Sequence, residues 1–257
     1  MAAYTAPLAD MQFIIHDVLG LADITALPGC EEVTPDLVDA VLEEAGKFGA
    51  EVLAPINRIG DIEGCTLENG VVRSPDGFRE AYAQFVEGGW NSVPFEPEFG
   101  GQDLPWLIAT TVSEIWDSAN LAFSLCSLLT HGAIESLTAH GSDQQKATFL
   151  PNLVSGVWSG TMNLTEPQAG SDLSRIKAKA VPDGDAYRIT GQKIFITYGE
   201  IDFTENIIHL VLARTPDAPA GVKGISLFIV PKFLVNDDGS LGTRNDLRCV
   251  SLEHKLG

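Results

Sequence analysis

GTMNLTEPQAGSDLSRIKAK, residues 160–179, is the stretch that decides how the second half of this chain folds. Its first residues have the composition of a β-strand, and Glu166 to Gly170 then provide a turn signal. Pro167 fixes φ and Gly170 permits positive φ, so the chain can reverse tightly with its amides exposed. Beyond the turn, apolar residues alternate with polar ones as on a half-buried extended segment, at Ile176, Ala178 and Ala180.

Two hydroxyl side chains flank this turn. Thr165 precedes it and Ser171 follows it, and a hydroxyl both donates and accepts hydrogen bonds. Together with the exposed amides, these groups are suited to hold a planar ring rich in oxygen and nitrogen and the phosphate attached to it. An ordinary hairpin turn is the alternative interpretation, and the turn by itself does not decide between the two.

A second motif, GQKIFIT at Gly191 to Thr197, follows the first. The pair, TEPxAGSD and then G-x-K-x-aromatic-I-T, resembles the flavin-binding signature of acyl-CoA dehydrogenases. The resemblance covers essentially all 257 residues. It implies FAD as cofactor, a helical N-terminal domain, an antiparallel β-barrel-like middle domain and a C-terminal four-helix domain. We expect this chain to contain only the first two of these domains.

The hydrophobic period changes near residue 157, from helical spacing to strict alternation. Helices first and strands second predict an α+β protein, with an all-α domain at 1–156 and a β domain at 157–257. The predicted strands are 157–165, 174–181, 186–190, 192–197, 206–214, 225–230 and 247–252.

Several helix limits are marked by specific residues. Thr34 followed by proline predicts a helix start, and Ser142 begins a capping box. Apolar spacing predicts separate helices over 107–116 and 121–139. Ser74 and the proline after it predict a further start, and Pro151 is expected to end the helix that Ser142 opens.

Charge and cysteine content exclude several classes of protein. The net charge is −19, and residues 1–150 carry 23 acidic but only 5 basic side chains, which argues against nucleic acid and anionic membranes as partners. Four scattered cysteines and five histidines without ligand spacing predict neither a disulfide framework nor a metal site. We find no signal peptide and no apolar run long enough to cross a bilayer, so we expect a cytoplasmic bacterial protein.

The resemblance assigns roles to individual positions. It places Thr165 at the pyrimidine side of the flavin, Thr197 near its O4 and N5 atoms, and Phe195 where many members have a tryptophan packed on the ring. Ser171 matches a serine near the FAD phosphates and the bound thioester. The full predicted cofactor-binding set is Met162, Asn163, Leu164, Thr165, Gly170, Ser171, Phe195, Ile196 and Thr197.

The resemblance implies removal of a proton from Cα and a hydride from Cβ of an acyl-CoA, giving the enoyl-CoA. The family's base is a glutamate in the third domain, and no acidic residue here matches it, so the catalytic residue is expected beyond Gly257. We expect this fragment alone to be inactive. The resemblance also implies electron-transfer flavoprotein as electron acceptor and a homodimer or homotetramer for the longer protein.

The substrate class is read from the opening Y-x-A-P-L-x-D-M and from QKIFITYGE. These resemble the branch of the family that oxidises 3-methylmercaptopropionyl-CoA in the bacterial breakdown of dimethylsulfoniopropionate. Three alternatives remain open at this point. They are a straight-chain fatty acyl-CoA dehydrogenase, a truncated non-catalytic subunit of the same fold, and an acyl-CoA oxidase.

Overall fold

A computed structural model describes residues 4–30 and 32–254 of the chain. It divides into two compact units. One comprises the chain up to Thr66 together with Arg73–Ser127, and the other comprises Leu67–Val72 together with Leu128–Glu253. Neither limit coincides with residue 156, and the division into domains at 1–156 and 157–257 stays a prediction, with residues 255–257 outside the described part.

The first unit is built mainly from helices, as the apolar spacing predicts. They are α1 (Leu8–Phe13) with a π-helical continuation (Ile14–Val18), α2 (Leu21–Thr25), α3 (Pro35–Phe48) continued by π turns (Gly49–Leu53), α4 (Ala54–Glu63), α5 (Phe78–Glu87) and the first part of α6 (Trp106–His140). A short hairpin of β1 (Thr66–Glu68) and β2 (Val71–Arg73) follows α4, and its residues Leu67–Val72 belong to the second unit.

Two of the predicted helix starts behave differently. Thr34 caps α3 as expected, its hydroxyl accepting a hydrogen bond from the Leu37 amide at 3.2 Å. The start predicted at Ser74 is wrong, because α5 begins at Phe78 after Gly77, which has a left-handed φ of 85°. A glycine in this conformation reverses the direction of the chain tightly, so the helix begins only after Gly77.

The break predicted between residues 116 and 121 is present inside α6. Asn120 has non-helical angles, φ −160° and ψ 86°. Its buried side chain accepts a hydrogen bond from the Phe123 amide at 3.1 Å and donates one to the Leu53 carbonyl at 3.2 Å. Asn120 therefore acts as the N-cap of the second half of α6.

The capping box at Ser142 is present and starts α7 (Asp143–Ser155). The prediction that Pro151 ends this helix is wrong, since α7 runs through Pro151 and ends at Gly156, which is left-handed with φ 81°. Proline removes one interior hydrogen bond, and the remaining bonds and the buried Leu150 and Leu153 hold the last turn.

The second unit contains the remaining strands, which confirms the order of a helical part followed by a sheet part. They are β3 (Trp158–Asn163), β4 (Lys179–Asp183), β5 (Ala186–Thr190), β6 (Asn206–Ala213), β7 (Ser226–Pro231), β8 (Phe233–Val235) and β9 (Leu241–Arg244). The order β3-β6-β7 forms a three-stranded sheet, and β4-β5 and β8-β9 form two-stranded sheets.

The predicted fold class, a helical part followed by an antiparallel β-barrel-like part, is confirmed, but the term barrel-like describes the sheets only loosely. The sheets are small and not closed, and β3 runs parallel to β6, with Trp158 opposite Asn206 and Asn163 opposite Val211. Parallel neighbours need a long crossover, and residues 164–205, which include the β4-β5 hairpin, provide it. β6 is the centre of this sheet, and it is antiparallel to β7.

Two predicted strands are absent, and those predicted at 157–165 and 174–181 are shorter, since β3 spans Trp158–Asn163 and β4 spans Lys179–Asp183. Residues 192–197 and 247–252 are irregular, and residues 173–175 form a 3₁₀ turn, so only the end of 174–181 is a strand. The irregular course of 192–197 has a local cause, since Phe195 is left-handed with φ 57°. A strand needs extended angles at every residue, whatever its hydrophobic pattern.

Close packing joins helix and sheet inside the second unit. A Cβ at Gly160 of β3 would lie 2.5 Å from the Ala133 side chain and 3.3 Å from the Thr130 backbone. The Thr130 hydroxyl also receives a hydrogen bond from the Gly160 amide at 3.1 Å. Glycine is therefore required at the point where α6 crosses this strand.

No helix formed by the described residues combines the length and the apolar character needed to cross a membrane.

Candidate functional site

The turn predicted at Glu166 to Gly170 is present. The Glu166 amide donates to the Ala169 carbonyl at 3.0 Å, and the Ala169 amide donates back to the Glu166 carbonyl at 2.9 Å. Ala169 is buried against Ile176 and Ala178 in a small apolar cluster. The turn is therefore anchored by its inner side, while Gly170 and Ser171 remain exposed.

The Glu166 carboxylate is the centre of this anchor. Its side chain is 3% exposed, and it accepts hydrogen bonds from the Lys177 amide at 2.7 Å, the Ala178 amide at 3.0 Å and the Lys193 Nζ at 2.9 Å, with a further one from the Gln168 side-chain amide. Burial alone would raise the pKa of this carboxyl, but these donors outweigh burial and hold the pKa below its ordinary value.

Lys193 joins the two sequence motifs. Its side chain is 9% exposed, and besides Glu166 its ammonium group donates to the Leu164 carbonyl at 3.0 Å. One residue later, the Ile194 amide donates to the Thr165 carbonyl at 3.0 Å. The two segments therefore lie side by side, joined by a buried ion pair and a backbone hydrogen bond.

Gly191, the first residue of the second motif, permits this approach. A Cβ at this position would lie 2.8 Å from the Ala178 Cβ and 2.9 Å from its Cα. Real Cβ atoms do not come that close to a backbone, so a larger residue would push the second segment away from the first.

Beyond Ile194 the second segment adopts a strained course. Phe195 and Tyr198 are both left-handed, with φ of 57° and 53°, a conformation that bulky residues rarely adopt. Phe195 is 50% exposed. Such backbone strain costs on the order of 1–3 kcal/mol per residue and tends to occur at ligand-binding positions, where it sets the direction of a side chain.

Three hydroxyls of the predicted site have no hydrogen-bond partner among the residues that the structure describes. Thr165, Ser171 and Thr197 form no side-chain hydrogen bond within residues 4–30 and 32–254, and the backbone amides of Gly170 and Ser171 donate to no acceptor there. Other hydroxyls nearby, such as that of Ser174, are satisfied locally. A ring rich in acceptors with an attached phosphate fits this set of open donors.

The predicted residues fall into three groups. Leu164 and Thr165 contact the second motif directly, and Met162 and Asn163 precede them at the end of β3, all four partly buried. Phe195, Ile196 and Thr197 follow Ile194 on the second segment. Within the described ranges, neither Gly170 nor Ser171 forms a hydrogen bond to that segment, so these two positions belong to the turn alone.

The sequence interpretation missed the residues that support this arrangement. Glu166 and Lys193 were noted only as parts of motifs, and Arg214 was not singled out. The Arg214 guanidinium donates to the carbonyls of Ile176 at 2.8 Å, Ser174 at 2.7 Å and Gly221 at 2.9 Å, tying the segment after the turn to a distant loop. In the sequence, Arg214 is a charge at the end of an apolar run, whereas Glu166 and Lys193 stand among polar and turn residues and carry no such signal.

A polar chain across the sheet was also missed. The His209 Nδ1 atom lies 2.7 Å from the Thr161 hydroxyl, and that hydroxyl donates to the Asn163 Oδ1 atom at 2.7 Å. His209 and Thr161 are both buried on neighbouring strands, in register with each other. Burial, together with the charges of Lys232 and Arg244, lowers the pKa of His209 to about 4.

A second buried ion pair lies at the end of the second motif. The Glu200 side chain, 2% exposed, receives the Lys232 ammonium group and a bond of 3.3 Å from the Arg244 guanidinium. These contacts attach the end of the motif to the segment that contains β8 and β9.

Comparisons with known proteins identify the family of this chain. The family model "Acyl-CoA dehydrogenase, N-terminal domain" matches residues 38–157, and "Acyl-CoA dehydrogenase, middle domain" matches residues 161–249. The two models occur in the order expected for that family, and together they span most of the chain.

Individual relatives are similar over nearly the whole chain. The chain is 54% identical over 255 residues to 3-methylmercaptopropionyl-CoA dehydrogenase of Ruegeria pomeroyi, and 36% identical over 267 residues to a butyryl-CoA dehydrogenase of Syntrophomonas wolfei. Each match covers 99% of this chain but only 43% and 42% of the relative, respectively, so the chain spans less than half the length of these proteins.

Solved structures of the same family have a similar fold. The solved butyryl-CoA dehydrogenase of Megasphaera elsdenii superposes with a TM-score of 0.63 and 26% sequence identity. The superposition covers 77% of this chain and 49% of that one.

Proposed function

Because this chain belongs to the acyl-CoA dehydrogenase family, we propose that it provides the flavin- and thioester-binding part of an enzyme that oxidises the α,β carbon–carbon bond of an acyl-CoA. The observation that carries the proposal is the meeting of the two motif segments through the Glu166–Lys193 pair and the bond between the Ile194 amide and the Thr165 carbonyl.

FAD is the cofactor of this family, and when bound it supplies an acceptor for the hydride that leaves the substrate. The residues proposed to hold it are those whose donors have no acceptor within the described ranges, together with one aromatic side chain. Thr165 and Thr197 offer hydroxyls on the two adjoining segments, and the Gly170 and Ser171 amides offer donors to a phosphate. Phe195 offers an exposed aromatic face.

The role of these residues is to orient and to stabilise charge. Hydrogen-bond donors held around the ring would favour the negative charge that develops on reduction. Ser171 is proposed to contact the thioester as well as the cofactor. The proton at Cα is proposed to be taken by a glutamate outside residues 1–257.

For the substrate, we propose 3-methylmercaptopropionyl-CoA. The 54% identity to the Ruegeria pomeroyi enzyme supports this choice over a straight-chain acyl-CoA, for which the similar butyryl-CoA dehydrogenase is 36% identical. The protein would then act in sulfur metabolism in a bacterial cytoplasm, as a homodimer or homotetramer, and would pass its electrons to electron-transfer flavoprotein.

The test uses the product of the complete reading frame. We expect a yellow protein whose flavin absorbance bleaches with 3-methylmercaptopropionyl-CoA faster than with butyryl-, octanoyl- or palmitoyl-CoA. Faster bleaching with butyryl-CoA would move the substrate to the straight-chain class. A folded, colourless protein that does not take up added FAD would overturn the proposal.

Two variants test the site within the same experiment. Thr165→Ala and Thr197→Ala each remove one proposed hydrogen bond to the flavin, and we expect each to weaken FAD binding roughly three- to tenfold. Thr190→Ala, on the exposed strand β5, is the matched control and should bind FAD like the unaltered protein. Equal FAD affinity in the unaltered protein and in all three variants would mean that the flavin binds elsewhere.

A further inference from the structure

A chain of three side chains runs from the inside of the sheet to the predicted site. His209 on β6 and Thr161 on β3 are directly opposite each other in the parallel register, and Asn163 lies two residues further along β3. His209 is 1% exposed and Thr161 is fully buried, whereas Asn163 is only partly buried. The chain therefore begins in the core and ends where β3 leaves it.

The proton count fixes the direction of this chain. The Thr161 hydroxyl has a single hydrogen, and it is donated to the Asn163 Oδ1 atom at 2.7 Å. The contact of 2.7 Å between the Thr161 oxygen and the His209 Nδ1 atom then needs its hydrogen from the histidine. His209 is therefore neutral, with its hydrogen on Nδ1 and its lone pair on Nε2.

The surroundings of His209 agree with this state. Its Nε2 atom is buried and has no hydrogen-bond partner among the described residues. The charged groups that act on it are Lys232 and Arg244, both cationic and both paired with Glu200. A second proton on the imidazole would face these two cations, so the neutral ring is the stable form.

The same count determines which end of Asn163 is open. Its carbonyl oxygen accepts from Thr161, and its amide nitrogen has no partner within residues 4–30 and 32–254. The side chain therefore presents two N–H donors, rather than an acceptor, to whatever binds beside it. In the reversed amide an Asn163 N–H would donate to the Thr161 oxygen and the Thr161 hydrogen would go to the His209 Nδ1 lone pair, which would leave a buried Nε2–H of His209 without an acceptor among the described residues.

We propose that His209, acting through Thr161, is a positioning residue that holds the Asn163 amide with its NH₂ group directed at an acceptor atom of the bound flavin. The proposal rests on the proposed function, because it takes the flavin site from it. Asn163 directly precedes Leu164 and Thr165, the residues in contact with the second motif, so its donors lie at the edge of that site.

The first test examines the chain itself without cofactor. In protein labelled with ¹⁵N-histidine, we expect the two nitrogens of His209 to show the shifts of a neutral ring that is protonated at Nδ1 and bare at Nε2. His209→Leu assigns the signals. A ring protonated at Nε2, or a charged ring at neutral pH, would overturn the proposed direction of the chain.

The second test measures FAD dissociation and flavin reduction potential in the product of the complete reading frame. Asn163→Asp, Thr161→Val and His209→Leu should each weaken FAD binding about three- to tenfold and make the flavin harder to reduce. Thr161→Ser keeps the hydroxyl, and His209→Asn keeps a donor near the Nδ1 position. Both should stay within about twofold of the unaltered protein.

The controls separate this proposal from the proposed function. Circular dichroism and thermal unfolding identify variants that have lost their fold, and if Thr161→Val or His209→Leu is among them, Asn163→Asp decides the question, since an unchanged reduction potential in this variant would overturn the proposal. If the unaltered protein binds FAD but Thr161→Val and His209→Leu do not change affinity or potential, the positioning role is wrong and the flavin site stands. If the unaltered protein does not bind FAD, both the positioning role and the proposed function are wrong.

Discussion

Glu166 and Lys193 form the contact on which the two motif segments depend. A buried ion pair contributes little compared with two well-packed apolar groups, but removing one partner leaves a charge without compensation. Here the loss would be larger than that of the pair alone, because the Glu166 carboxylate also receives two backbone amides.

We therefore expect Glu166→Gln to destabilise the protein by about 3–5 kcal/mol in chemical denaturation. One of its two oxygens becomes an NH₂ group that faces a backbone donor. Lys193→Met should cost a similar amount, and the double variant less than the sum of the two, since they share one interaction. Additive losses would show that the pair does not couple the segments.

The control pair is Asp183 and Arg188 on the β4-β5 hairpin. It is exposed, with side-chain exposures of 56% and 76%, so Arg188→Gln should change the free energy of unfolding by less than about 1 kcal/mol.

Position 191 is a further single residue on which the site depends. Glycine is required there because a side chain would collide with Ala178, and not because the backbone needs a positive φ. Gly191→Ala places a methyl group within 2.9 Å of the Ala178 backbone, and we expect a loss of about 1–3 kcal/mol together with weaker FAD binding in the complete protein. Unfolding curves and FAD titration measure the two effects. Unchanged values for both would mean that the second segment tolerates displacement.

At the scale of elements, the packing of α6 on β3 provides a matched pair of glycines. Gly160→Ala would place its Cβ 2.5 Å from that of Ala133, and we expect a loss of about 1–3 kcal/mol. Gly132 is also in the second unit, but a Cβ there meets no atom within 4 Å. Gly132→Ala should therefore stabilise α6 by up to about 1 kcal/mol, and thermal unfolding should shift in opposite directions for the two variants.

The break in α6 is another property of an element that depends on one side chain. Asn120→Ala removes the cap on the Phe123 amide and a donor to the Leu53 carbonyl, both in a buried environment. We expect a loss of about 2–4 kcal/mol, compared with about 1 kcal/mol for Ser142→Ala, which removes an exposed cap. Equal losses in urea denaturation would mean that the cap at Asn120 contributes no more than an exposed one.

Element types were predicted best where a local rule acts alone. The caps at Thr34 and Ser142, the turn at Glu166 to Gly170 and the β4-β5 hairpin follow from residues close together in the sequence. The strand predicted at 192–197 failed because alternation of apolar residues does not reveal a left-handed residue such as Phe195. The parallel pairing of β3 with β6 depends on a long crossover, which no local pattern specifies.

At the scale of the whole molecule, the decrease of the free energy of unfolding in acid should depend on His209. Its pKa is lowered to about 4 in the folded state from an ordinary 6.5, so the unfolded chain binds a proton that the folded protein does not. This contribution is fully present above pH 6.5 and is lost as the pH falls towards 4. The lowered pKa of Glu166 acts in the same direction in more acidic solution.

We expect the free energy of unfolding to fall by about 3 kcal/mol from this group between pH 7 and 4, measured by denaturation at a series of pH values. His209→Leu should be less stable at pH 7 but show a shallower decline with acid. An equal slope in both proteins would mean that His209 is not buried in its neutral form.

The sequence alone determined the family, the order of a helical part and a strand part, and the two segments that form the candidate site. It did so because turns, caps and motif residues are local, and each is recognised from its immediate neighbours. Only the tertiary structure decided that Glu166 and Lys193 pair, that Thr161 connects His209 to Asn163, and that β3 runs parallel to β6. The Glu166–Lys193 and Thr161–His209 contacts join residues 27 and 48 positions apart, and burial gives them their strength, which a linear pattern does not contain.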